Sequence, residues 1–470
     1  MSDLWRPLKE DIAVSKVDGL DEEEQATFDE LVRVWSQKLT RNKKRVEYYD
    51  QKNLLKDLGI AIPPQLRNLN AVVGWPAKAV DVLAARARFD GFTFQEKPKD
   101  DSLSALVKDT DFKQSYKEAQ ASELIHSCAF ISMTKGTAGE PDVIIMPHSA
   151  IDAAALWDFR RRRIKAGLTI IDIDRKTNQP VALNLFTDTA VVEIEYKNSS
   201  WTATRKEHSQ GRPLMEPLRY RPSIDRPFGK SRINRAVMSI TDNAVREVLR
   251  TEVGAEFFTA PQRYILGAEE EAFEKSRWEQ YITSVALFSR DPDGELPKYG
   301  QLTQMTMQPH MEYMRELAAQ FSGETSIPIS SLGVIHDNPS SAEAIHASRE
   351  DLIIEAEDLN ETNGISLRNI GLLALAIMQN KTVFELTDNE KTLMPKFKNP
   401  AKPSVVSQSD AIVKQASAIP WIAETTVALE ELGYTEEKIT RMMSDKRKAD
   451  GRKTLDEIFA RARGSANGNV

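Results

Sequence analysis

Ser231-Arg232-Ile233-Asn234-Arg235-Ala236-Val237-Met238-Ser239-Ile240-Thr241-Asp242-Asn243-Ala244-Val245-Arg246-Glu247-Val248-Leu249-Arg250-Thr251-Glu252-Val253 is the stretch on which the fold turns. Ile233, Val237, Ile240, Ala244, Val248 and Leu249 recur at helical spacing, which predicts one helix over 231–253. Arg232, Arg235, Arg246 and Arg250 occupy its other positions. An apolar stripe of that length needs a partner, and the residues on either side indicate which kind.

Downstream, Phe257 to Leu266 reads as a strand broken by Pro261, and Glu269 to Phe288 as an acidic helix. Asp291-Pro292-Asp293-Gly294 is a turn signal. Residues 256–306 hold nine acids and five bases, so this insertion nets 9 − 5 = 4 negative charges. Pro309 then suits the first turn of a second helix, His310 to Phe321, ending at Ser322-Gly323. Met305, Met307, Met311 and Met314 read as helix-packing residues. A polar loop follows from Glu324 to Asn338, either a functional surface or a plain connection. Ser340-Ser341-Ala342-Glu343 resembles a capping box opening the longest helical pattern in the chain, to about Asn380. Asn363-Gly364 near its middle predicts a kink or break. Pro395 to Pro403 reads as an extended linker. Helices are then expected at Ser409–Ala418 and Ile422–Leu432, and from Thr435 and from Thr454, with Gly464–Val470 disordered.

Upstream, Leu20-Asp21-Glu22-Glu23-Glu24 places acids at the positive end of a helix through about Asn42. Pro63-Pro64 breaks the chain. A helix over Ala77–Arg88 ends near Phe89-Asp90-Gly91-Phe92, and another covers Asp111 to Ile125. Short β-branched runs then predict a mixed or antiparallel sheet: Ala129–Thr134, Pro141–Met146, Gly167–Asp174, Val181–Phe186 and Val191–Tyr196. Lys135-Gly136-Thr137-Ala138-Gly139 lacks the spacing and closing Lys-Ser/Thr of a phosphate loop and reads as a hairpin turn. Arg160 to Arg163, with Lys165, is the densest basic cluster; it suits a solvated or salt-bridging role, or phosphate contact.

The chain has 470 residues, which predicts two or three domains. Its net charge of −7 does not suggest a free-standing nucleic-acid clamp. Cys128 is the one cysteine, so no intrachain disulfide is possible, in keeping with a reducing cytosol. No secretory signal and no membrane-length apolar run are read from it. His126 and Cys128 stand two apart, but no second cluster supplies further metal ligands, so they read as packing residues. No nucleophile elbow and no His-Glu-x-x-His helix occurs. Neither an enzymatic activity nor a cofactor is expected.

The parts follow in order: an α/β block, a helix, an acidic insertion, a second helix, a loop, a long helix and a helical tail. Several stretches resemble portal proteins of long-tailed bacteriophages. These are Leu58-Gly59-Ile60-Ala61-Ile62-Pro63-Pro64, Leu66-Arg67-Asn68-Leu69-Asn70 with the helix from Trp75, and Trp157-Asp158 with the following arginines. Phe228-Gly229-Lys230-Ser231-Arg232-Ile233 and Glu256-Phe257-Phe258-Thr259-Ala260-Pro261-Gln262-Arg263 are similar to the segments leading into the family's stem and clip. Ile327-Pro328-Ile329-Ser330-Ser331-Leu332-Gly333 and Asn338-Pro339-Ser340-Ser341-Ala342-Glu343-Ala344-Ile345 resemble the loop and helix start beside its channel.

The resemblance covers about residues 45–385 and implies an α+β, mainly helical portal fold with wing, stem, clip and helical C-terminal crown. The implied division is an N-terminal arm (1–45), wing (46–230), first stem helix (231–255), clip (256–306) and second stem helix (307–321). A channel loop (322–340), a long kinked helix returning to the wing (341–400) and a crown-like tail (401–470) complete it. It implies a homo-oligomeric ring, typically of twelve copies, at a capsid vertex of a virion made in the host bacterial cytoplasm. Double-stranded DNA would pass its channel during packaging and ejection without sequence specificity. Terminase and head–tail adaptors would dock on the clip, through Glu269, Glu270, Glu271, Glu274, Asp291 and Asp293. Major capsid and scaffold proteins would touch the wing; no membrane is involved. The stem helices would pack apolar faces between neighbouring copies, with Arg232, Arg235, Arg246 and Arg250 contacting neighbours or facing the lumen. Glu324, Thr325, Ser326, Ser330, Ser331, His336, Asp337 and Asn338 would line the channel. The competing readings are another virion or minor head protein, which would lack this order of parts, and a nucleic-acid-processing enzyme, commonly with clustered carboxylates for two metals.

Overall fold

The computed structural model describes residues 16–53, 71–96, 102–258, 263–266, 298–301, 306–333, 349–401, 405–434 and 436–466. Residues 1–400 form one compact unit and 401–470 a second.

The first unit opens with β1 (Val17–Asp18) and α1 (Glu22–Tyr49). Asp21 caps α1 in a capping box with Glu24. Phe28, Leu31, Trp35 and Leu39 recur on one face and are fully buried against a sheet, each contributing about 1.5–3 kcal/mol. Trp35 Nε1 donates to Ile151 O at 2.6 Å and Asn42 Nδ2 to Ala150 O at 2.9 Å. The helix is therefore a layer of this core; of the arm expected over 1–45, residues 1–15 lie outside the described residues.

Next come α2 (Trp75–Ala84), β2 (Phe89–Thr93), α3 (Ser102–Asp109) and α4 (Phe112–His126). They lead to β3 (Cys128–Lys135), β4 (Val143–Ser149), β5 (Ala153–Asp158), β6 (Arg163–Ile173), β7 (Pro180–Phe186), β8 (Ala190–Lys197), β9 (Ser200–Glu207) and β10 (Met215–Arg219). One sheet has the order β1-β9-β8-β7-β6-β5, antiparallel except for the parallel β1–β9 pair. A second has the order β10-β3-β4. All five expected strands fall on strands of these sheets, and 136–142 is the turn of the β3–β4 hairpin. Phe89–Thr93, read as a helix end, is instead a strand.

The helical part follows: α5 (Arg235–Phe258), the antiparallel pair of β11 (Arg263–Leu266) and β12 (Lys298–Gln301), and α6 (Gln308–Thr325). Phe257-Phe258 therefore ends a helix and does not begin a strand. The second helix passes Ser322-Gly323 and ends where Ser326 turns left-handed at φ 55°. Helix α7 (Glu350–Met378) has 29 residues, about 43 Å of axis. After the short α8 (Asp388–Lys391), β13 (Met394–Phe397) pairs with β2 where a linker was expected. No break occurs at Asn363-Gly364. The Asn363 amide donates to Glu123 Oε2 (2.8 Å) instead of competing for its own backbone, and Gly364 lies against Pro395 and Phe397.

Helices α5 and α6 run antiparallel: Asn234 Nδ2 donates to Glu324 at 2.5 Å near one end, and His310 Nδ1 lies 2.6 Å from Glu247 near the other. Ile233, Val237, Ala244 and Leu249 are buried with Leu317, Ala318 and Phe321 and with Val80 and Leu83 of α2. Trp75 and Phe321 have ring centroids 5.3 Å apart. Four of the six residues of the apolar stripe are thus buried within one chain, and Ile240 and Val248 are half-buried against the same cluster, so most of the stripe is covered without a neighbouring copy. Of the methionines read as packing residues, Met314 packs against this cluster and Met311 is 56% exposed.

In the second unit, α9 (Val405–Ala418) precedes a 3-10 turn at Pro420–Glu424 and α10 (Thr426–Glu431). Thr425 caps α10, splitting the single helix expected over 422–432. Gly433, at φ 82°, ends it. One helix, α11 (Glu436–Ala466), replaces the two expected from Thr435 and Thr454. Thr454 donates to Asp450 O within that helix instead of capping a new one. Among the described residues no helix is long and apolar enough to cross a membrane.

Candidate functional site

The segment before α5 and the end of α6 meet at one buried charge. Arg232 precedes the helix and is 4% exposed. Its Nε donates to Ala79 O (2.6 Å), Nη1 to Tyr220 Oη (2.8 Å) and to Glu355, and Nη2 to Thr325 O (2.6 Å). Glu355, on α7, also receives Tyr220 Oη and pairs with Arg221 at 3.0 Å. Burial pushes the Tyr220 phenol up to about 12, so it stays a donor. The Arg232–Glu355 pair thus ties α2, the residues after β10, the segment before α5, the end of α6 and the first half of α7. Arg232 was expected to touch neighbours or the lumen; its donors are directed to atoms of its own chain, which corrects that reading.

The other expected stem arginines differ from it. Arg235 is exposed, Arg250 pairs with buried Glu247 at 3.3 Å, and Arg246 donates to Asn243. In the loop, Ile327 is fully buried and anchors the chain, while Pro328 leads into a 3-10 turn over Ile329–Leu332. Ser330 is exposed, Ser326 and Ser331 are half-buried, and Glu324 accepts from Asn234. Thr325 is 2% exposed and donates to Phe321 O, so its side chain belongs to the last turn of α6 and not to a loop surface. His336, Asp337, Asn338, the capping box at 340–343, residues 58–70 and the acids Glu269, Glu270, Glu271, Glu274, Asp291 and Asp293 lie outside the described residues.

A cleft that the sequence reading did not single out lies between the second half of α1, strand β5, the α4–β3 junction and residues 225–235. Its cavity is about 540 Å³. Lys38, Arg41, Arg45, Arg226, Lys230 and Arg235 line it, with Asp225 the one acid. None of the six cations has a carboxylate within ion-pair distance among the described residues. Lys38 lies over the Phe228 ring, 5.5 Å from its centroid, and Arg45 donates to His126 O at 2.7 Å. Burial holds the Lys38 ammonium below its usual range and, with the Arg41 charge, pulls Arg45 down to about 10. His126 lines the same wall at 4% exposure with Nδ1 unpartnered; burial pushes it down to about 3, so it is neutral. Burial pushes the Cys128 thiol up to about 11. Among the described residues, no group of three His, Cys, Asp or Glu is placed to hold a metal. The cleft escaped the sequence reading because its cations come from two segments nearly 190 residues apart. Of the visible cluster, Arg160–Arg162 form a surface turn in which Arg161 pairs with Asp158 and Asp188, and Arg163 begins β6.

The chain is 24% identical over 389 residues to the portal protein of Mycobacterium phage L5, covering 78% of this chain and 77% of that one. It is 23% identical over 427 residues to the portal protein of Mycobacterium phage D29, covering 87% and 85%. The resemblance to phage portal proteins therefore extends along most of the chain. No family model matches it. Among solved structures it is similar to a chain of the virion of a native gene transfer agent particle (10% identity, TM-score 0.44, 73% of this chain and 86% of that chain). It is also similar to a chain of the neck of the empty particle (11%, TM-score 0.46, 73% and 86%).

Proposed function

We propose that this chain is the portal subunit of a tailed phage, a structural ring component at a capsid vertex. The observation that carries the reading is the likeness to two phage portal proteins over 78% and 87% of the chain. The local architecture agrees with it: α5 leads out to the antiparallel β11–β12 pair and α6 leads back beside α5. In this reading α5 and α6 are the stem, 256–306 the clip, 322–340 the channel loop and 401–470 a crown-like tail. The sheets with α1 to α4 form the wing, to which α7 and β13 return.

The proposed ring holds twelve copies around a channel through which double-stranded DNA passes without sequence specificity. Glu324, Ser330 and Ser331 face the channel; one carboxylate among small hydroxyls offers duplex phosphates little to hold, which suits sliding. Arg235, Arg246 and Arg250 contact neighbouring copies. The acidic clip docks terminase and then head–tail adaptors, and capsid and scaffold subunits meet the wing.

Negative-stain microscopy and sedimentation of the purified full chain test the proposal. Closed rings with a central channel are expected. A strictly monomeric species under assembly conditions overturns it.

A further inference from the structure

Helix α7 carries a second unpartnered charged surface, opposite in sign to the cleft. Glu350, Asp351, Glu357, Asp358 and Glu361 fall within about a third of the helix circumference and are exposed. Ile354 (50% exposed) and Ile365 (59%) share that face. No cation lies within ion-pair distance of these acids among the described residues, and the first half of α7 places no basic residue on this face. The buried side of the same turns holds Leu352, Glu355, Ala356 and Leu359, so packing and the Arg232 pair fix which side faces out.

We infer that neighbouring copies join by seating this acidic face of α7 in the basic cleft between α1 and residues 225–235. The inference rests on the ring reading. A closed ring is made by a heterologous contact, in which two different surfaces of one chain complement each other. The two surfaces make no ion pair with each other within one chain, so both remain available to partners. Their chemistry matches beyond sign. The cleft lining includes the half-buried Phe228 ring and Ala153, Ala154 and Ala155 of β5, an apolar portion for an isoleucine of α7 to meet. The unpartnered Nδ1 of His126 offers a hydrogen-bonding position on its wall. A backbone phosphate would meet the same cations, and the cleft variant described below separates the two occupants.

The test uses two full-length variants whose changes fall on exposed side chains. One carries Glu357→Lys, Asp358→Lys and Glu361→Lys; the other carries Arg41→Glu, Arg226→Glu and Lys230→Glu. Circular dichroism and thermal unfolding confirm that both fold. Each alone is expected to assemble at least about tenfold more weakly than the unmodified chain. A one-to-one mixture is expected to restore rings, because each reversed surface then meets a complementary one on the other variant. Assembly of the unmodified chain is expected to weaken as salt rises. If both variants form rings as readily as the unmodified chain, or if mixing restores nothing, the joint is refuted while the ring stands. Intact rings of the cleft variant that lose DNA retention also refute it, in favour of a phosphate site. An unmodified chain that never leaves the monomer refutes the ring reading itself.

Discussion

Glu123 on α4 is fully enclosed, and its surroundings are arranged for a neutral acid. Burial pushes its carboxyl from 4.5 to about 8, despite the Asn363 hydrogen bond and the Arg219 charge that pull the other way. Glu123 Oε1 and Asn363 Oδ1 have no partner while the Asn363 amide donates to both Glu123 Oε2 (2.8 Å) and Tyr116 Oη (3.3 Å). Protonating Glu123 and turning the amide over lets the acid and the phenol both donate to Asn363 Oδ1. A carboxyl whose folded value exceeds its unfolded one binds more protons in the folded state. Its contribution is therefore whole below 4.5 and is lost as pH rises to about 8. At about 1.4 kcal/mol per tenfold, the ceiling of that loss is roughly 5 kcal/mol. Glu123→Gln keeps the shape and removes the titration. Urea or thermal unfolding of both proteins across pH 5 to 9 isolates the effect, since the other groups titrate alike in each. The variant's advantage is expected to be under about 1 kcal/mol near pH 5 and to grow to several kcal/mol, a few °C or more in Tm, at pH 9. A difference that stays constant across that range would show Glu123 ionised in the fold and refute the reasoning.

Glu355→Ala leaves Arg232 buried without its carboxylate and is expected to cost about 3–5 kcal/mol in unfolding free energy. Arg221→Ala, which removes the exposed partner of the same acid, is expected to cost under about 1 kcal/mol; equal losses would contradict a buried node. Gly229 sits at φ 74°, and a Cβ there would meet Tyr220 O at 2.1 Å. Gly229→Ala is expected to destabilise by more than about 2 kcal/mol, measured by thermal unfolding. With its thiol buried and pushed up to about 11, Cys128 is expected to resist iodoacetamide near neutral pH until urea unfolds the chain. Rapid stoichiometric labelling of the folded protein would place it at the surface.

What was legible in the sequence was local. The period of Ile233, Val237, Ala244 and Leu249 announces α5, and the Asp21–Glu24 spacing announces the start of α1, because both signals lie within a few residues of what they specify. Strands β2 and β13 were not legible. Each is short and pairs with a segment about 300 residues away, so neither carries a pattern of its own. Asn363-Gly364 misled for the same reason: two helix-weakening residues are retained because Glu123, Pro395 and Phe397 supply contacts that no local window contains. Arg232 is the sharpest case. Its neighbours in sequence suggest a helix surface, yet it lies one turn before the helix, where four elements bring it acceptors.

The covered α5 stripe changes how a ring of this chain would be held. With Ile233, Val237 and Leu249 enclosed by α2 and α6, these apolar residues of the α5 stripe do not need a neighbour among the described residues. Association then falls to surfaces left polar or unpaired, and the cleft and the outer face of α7 are one such opposed pair among the described residues. Exposed charges give modest affinity and strong selectivity for orientation, because like charges repel when the wrong faces meet. A ring built this way would close in one direction only and would loosen with salt. A joint of buried apolar stripes would instead be nearly indifferent to ionic strength, so the salt dependence of assembly separates the two.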